Sequence, residues 1–153
     1  MTPEAPNETA GGEDPGEFKQ RVAQARHDLR NPLAHILGFS EMLIEKAGAD
    51  PSDSLKPQFE SIYQLADALV AAVNHSLELE RARAGQHEAR ALKQRLLDGA
   101  TSITAAAEEL ARHARTRSPD PFSVDLHIIA GAGRRLSEVT ATVLEFLLAK
   151  ESP

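Results

Sequence analysis

Residues 26–43 read Arg26-His27-Asp28-Leu29-Arg30-Asn31-Pro32-Leu33-Ala34-His35-Ile36-Leu37-Gly38-Phe39-Ser40-Glu41-Met42-Leu43. Extended back by four residues, the stretch places Val22, Leu29, Leu33, Ile36, Ser40 and Leu43 at steps of 7, 4, 3, 4 and 3. That spacing is heptad-like and predicts one long amphipathic helix. Asp14-Pro15 supplies an N-cap and a first helical residue. Gly48 and the following Ala-Asp-Pro-Ser-Asp-Ser stretch supply its end. At about 100° per residue, with Val22 at zero, the apolar stripe lies between roughly 300° and 20°. On the same wheel His27 falls near 140° and Asn31 near 180°, roughly a turn apart on the face opposite the core.

Working outward, a second helix can start at Asp53 or Ser54, with Ile62, Leu65, Leu69, Ala72, Ser76 and Leu79 as its stripe. Two antiparallel helices on a short loop make an αα-hairpin. The pattern then repeats. Shifted by 67 residues, Leu29, Leu33, Ile36, Ser40 and Leu43 fall on Leu96, Ala100, Ile103, Ala107 and Leu110. Ile62, Leu65, Leu69, Ala72 and Ser76 fall on Ile129, Ala132, Leu136, Val139 and Val143 at the same offset. Asp120-Pro121 looks like an N-cap and N1 pair for the last helix. One hairpin is too small to bury its stripe, whereas two form a four-helix bundle. The expected fold is therefore all-α, an antiparallel four-helix bundle of two αα-hairpins in pseudo-duplication, 17–85 and 86–153, behind an acidic, Pro- and Gly-rich tail, 1–16, too polar to order itself.

Composition agrees with helices. The 153 residues are 41% hydrophobic but only 4% aromatic, with no Trp and one Tyr, which disfavours a β-sandwich or barrel. The net charge of -6 without a basic stripe argues against nucleic-acid binding. No cysteine is present, so disulfides and thiolate metal sites are excluded. No signal peptide and no membrane-spanning apolar run is visible, and the expectation is a cytoplasmic protein. His75, His87, His113 and His127 lack paired metal-ligand spacing, and His35, on the stripe's flank, reads as structural.

The segment 26–43 closely resembles the H-box of the HisKA-type dimerisation and histidine-phosphotransfer domain of bacterial two-component sensor histidine kinases. The pattern His, acid, Leu, Arg, Thr or Asn, Pro, Leu, followed by Gly-Phe-x-Glu-x-Leu, is met at every position. The resemblance runs to about Gly85. It implies that His27 is the phosphoacceptor and that Asp28 is its base and orienting acid. It also implies that Asn31 orients water in a phosphatase-type reaction on a response regulator. Arg30 is a candidate contact for phosphate or a partner carboxylate; an ordinary solvated arginine fits equally. Pro32 lacks an N–H, deprives the Asp28 carbonyl of its helical partner and is expected to kink the helix beside the nucleophile. Imidazole suits phosphoryl exchange because it is nucleophilic near neutral pH. In the second copy Gln94, Arg95, Asp98 and Gly99 stand where His27, Asp28, Asn31 and Pro32 do, so that half lacks the chemistry.

The resemblance implies a phosphorelay protein exchanging a phosphoryl group with a receiver domain or a partner kinase, as a monomeric pseudo-dimer or a homodimer. Neither a Gly-rich lid nor a P-loop pattern is found, so the chain is expected not to use ATP alone. It is expected to bind no cofactor or metal itself, with Mg²⁺ on the receiver partner. Three other readings stay open: the core of a split kinase served by an ATP-binding subunit in trans, a non-catalytic kinase-binding module, and a receiver phosphatase acting through Asn31.

Overall fold

A computed structural model describes residues 14–48 and 55–149. The tail up to Glu13, and Asp53 and Ser54 in the first loop, lie outside the described residues. Helix α1 spans Pro15–Gly48, α2 Lys56–Ser76, α3 Leu79–Ala84, α4 Gln86–Ala114, α5 Ser123–Val143 and α6 Glu145–Ala149. Strands are absent among the described residues, and the all-α expectation holds.

The start of α1 is as read from Asp14-Pro15. The Asp14 carboxylate accepts the Glu17 N–H at 3.2 Å, so one orphan donor of the first turn is satisfied. Its stripe is buried throughout: Val22, Leu29, Leu33, Ile36, Ser40 and Leu43 all face the core. Ser40 is tolerated there because its hydroxyl donates to the Ile36 carbonyl at 2.6 Å. The helix runs through Pro32 as one element of 34 residues, about 50 Å long; Pro32 does not divide it, and its ring is buried.

Helix α2 begins at Lys56 with Pro57 in its first turn, where a missing N–H costs little. Leu65 is half-buried rather than central, and Phe59, Ala66 and Val73 join the core instead. Leu79 belongs to α3. Between α3 and α4, Gly85 takes φ 138°, a backbone state that a side chain would strain.

The offset of 67 is visible in the backbone, for it carries the bounds of α2 onto those of α5. One expectation fails in detail. Asp120-Pro121 is not the N-cap and N1 pair: α5 starts at Ser123 behind Phe122. Asp120 acts from further back, its Oδ1 accepting the N–H groups of Phe122 and Ser123 at 3.0 Å each. The ring of Phe122 is buried edge-on against Phe59, 5.1 Å between centroids, and that packing sets where the helix can begin.

Helix α1 packs against α2 and α5, and α4 against α5 and α2, so the two long helices are diagonal partners. The hairpins are joined by polar links as well as by the core. Lys46 Nζ lies 2.7 Å from the mostly buried Asp125 carboxylate and 3.2 Å from the Pro121 carbonyl. Ser76 donates to Glu88 at 2.9 Å.

Candidate phosphoacceptor site

The core stripe of α1 fixes where the H-box side chains point. With Leu29 and Leu33 fully buried, His27 and Asn31 must project outward, and both are exposed. The His27 side chain is 76% exposed. Its Nδ1 lies 3.3 Å from Asp28 Oδ1, and Gln24 Nε2 donates to the same oxygen at 2.8 Å. Asp28 is therefore held from two sides. A carboxylate beside Nδ1 favours the tautomer with its proton there, leaving the Nε2 lone pair directed away from the acid.

His27 borders a groove of about 460 Å³ between α1 and α2, lined also by Arg26, Arg30, Asn31, Leu37 and Val70. The structure thus brings His27, Arg30 and Asn31 to one surface. Asp28 touches the ring but does not line the groove. Pro32 is one residue further along and turned inward. Arg26 and Val70 are site residues that the motif alone does not flag. Arg26 Nη1 donates to the Leu77 carbonyl at 2.8 Å, closing the end of α2 onto α1 beside the histidine. Val70 comes from the other helix, so only the pairing of the hairpin places it.

His35, read as structural from its place on the stripe's flank, is exposed. The α1 wheel puts it just beyond the last buried row. In the second hairpin Gln94 and Asp98 are exposed and hydrogen-bonded to each other at 2.9 Å, while Gly99, the counterpart of Pro32, is buried. A Cβ on Gly99 would lie 2.6 Å from a Leu69 methyl, so the missing side chain permits close approach of α2. The described residues hold no group of three or more His, Asp or Glu side chains able to bind a metal ion. No helix of the described residues is long and apolar enough to cross a membrane.

The His Kinase A (phospho-acceptor) domain family matches residues 19–85. The first hairpin is similar to a His Kinase A domain. The match takes in α1 from its second turn, all of α2 and α3, and ends at Gly85. The chain is similar to an uncharacterized sensor-like histidine kinase of Rhizobium meliloti (strain 1021), 34% identical over 87 residues, 56% of this chain and 17% of that protein. It is similar to the cell-division control histidine kinases PdhS of Brucella anthropi and Brucella ovis. Each is 26% identical over 124 residues, 80% of this chain and 12% of the relative. The chain thus spans less than a fifth of the length of these curated relatives. No solved structure matches it.

Proposed function

We propose that this chain is a histidine phosphotransfer module of two-component signalling, with His27 as the residue that accepts and donates the phosphoryl group. One observation carries the reading: the imidazole is 76% exposed and has a carboxylate 3.3 Å from Nδ1, at the edge of a groove on a hairpin similar to a His Kinase A domain. In the proposed transfer, Nε2 attacks the phosphorus of an aspartyl phosphate on a receiver domain. The P–N bond forms as the P–O bond to the aspartate breaks, and the aspartate leaves as a carboxylate. The ring becomes cationic, and Asp28 stabilises it through the Nδ1 proton. Arg30 lies on the same surface, where a guanidinium can meet phosphate oxygens. Mg²⁺ on the receiver would neutralise the transferring charge. Positioning supplies most of the rate in such a transfer, and a rigid helix face is suited to that.

Incubated with a receiver labelled on its aspartate, the parent chain should take up label and His27→Ala should not. Equal labelling of the two would end this reading. Asn31→Ala should leave uptake intact and lower only the loss of phosphate from the receiver to water.

The kinship with far longer histidine kinases favours a second reading, in which an ATP-binding subunit works in trans on the same histidine. Labelling of His27 from ATP on adding a separate ATP-binding domain would single that reading out.

A further inference from the structure

The two hairpins meet along two seams related by the 67-residue offset, and the seams are filled differently. One joins α1 to α5 and the other joins α2 to α4. The α2–α4 seam holds a groove of about 340 Å³ with Ile62, Leu65, Ile103, Ala106 and Leu110 in its lining and Ser61 and Ser102 beside them. At the same offset on the α1–α5 seam stand Phe39 for Ala106, Ile128 for Ser61 and His35 for Ser102. There Phe39 packs against the core with its ring half-buried. The larger Leu65, opposite Ala132, returns only part of the missing volume. The α2–α4 groove is therefore a place that the sister seam shows to be of the right shape for a benzyl group, with that group removed.

A second hollow of about 360 Å³ follows on the same seam, with Ala68, Ala72, Ala91 and Leu92 in its lining. Leu65 and Ala72 are two turns apart on α2, about 10 Å. Consecutive hollows at that spacing suit side chains carried on one helical segment. A single ring in an open groove binds only weakly as a free small molecule, whereas a ring that anchors a larger interface is a common hot spot. The rim beside the apolar floor is neutral, made by Gln58, Ser61 and Ser102, with Glu109 already paired to Arg112.

We propose that the α2–α4 groove is a second docking site, which takes one phenylalanine-type side chain from a helical segment of a partner protein. It shares no lining residue with the His27 groove, so both surfaces can be occupied together. This inference does not depend on the phosphotransfer reading.

Capped phenylalanine amide, titrated into the full chain with methyl NMR detection, tests it. Saturable shifts are expected at Ile62, Leu65, Ile103 and Leu110, and capped serine amide should give none. Ala106→Phe installs the chain's own counterpart, so it should abolish the response and raise the Tm. Ser61→Ile, which copies Ile128 at the rim, should weaken binding several-fold and serves where Ala106→Phe fails to fold. Absence of saturable shifts in the parent chain, or shifts that persist in the substituted chain, would overturn the site. Tighter binding of toluene than of the capped amide would make it a small-molecule pocket and overturn the docking. Uptake of label at His27 should be the same in Ala106→Phe as in the parent, so a failure of phosphotransfer reads out separately.

Discussion

Pro32 sets two residue-scale forces against each other. An interior proline is worse than alanine by about 3 kcal/mol in a helix. Its ring is buried here, and truncation to alanine removes about two methylenes at roughly 0.8 kcal/mol each. The helix effect is the larger, so Pro32→Ala should stabilise the chain by about 1 kcal/mol, read from denaturant midpoints at unchanged slope. The parent chain bears that cost one turn from His27, on the carbonyl of Asp28. If the break serves to present the imidazole, the stabilised variant should also take up label more slowly. A variant that is less stable than the parent would show that ring packing outweighs helix strain.

At the scale of elements, two helix starts use aspartate differently. Asp14 caps α1 from the N-cap position at the surface, and Asp14→Ala should cost about 1 kcal/mol. Asp120 lies at the head of α5. The Ser123 hydroxyl hydrogen bond, then the backbone N–H groups of Phe122 and Ser123 and the nearby Arg115 charge, pull its pKa down against a desolvation penalty that opposes them. A carboxyl lowered in the folded state stabilises the fold above the ordinary carboxylate range, and the effect is lost as pH falls through the folded value. Asp120→Asn should therefore lower the Tm at neutral pH, with the difference shrinking as the solution is acidified below about pH 4. A difference that grows in acid would reverse the assigned sign.

These starts also show what the chain discloses locally. Asp14-Pro15 opens α1 as its residue types require. Asp120-Pro121 has the same local chemistry, yet the burial of Phe122 against Phe59 moves the helix start beyond it. Ring packing between hairpins is a tertiary fact that no local pattern contains. His27 and Asn31 were legible as outward-facing because helical period alone turns them away from the core. Arg26 and Val70 were not, because their place in the groove depends on how α2 lies along α1.

At the scale of the molecule, the second hairpin offers the first contacts that a copy of the first would not. Lys46 meets Asp125 across the α1–α5 seam, whereas at the 67-residue offset the α2–α4 seam has His113 and Gln58 in the corresponding places. In a homodimer of the first hairpin, Lys46 would face the partner's Gln58 and lose its charge pair. Pro32 would take the place of Gly99 beside Leu69, where even a Cβ is too close. The intact chain should therefore sediment as a monomer with a Tm independent of concentration. The fragment 14–85 exposes its apolar stripe and can bury it only in the poorer homodimer. Its helicity should be low at micromolar concentration and rise as concentration increases. An intact chain that sediments as a dimer, with a Tm climbing with concentration, would show that the second hairpin does not complete the bundle and that each assembly carries two His27 faces instead of one.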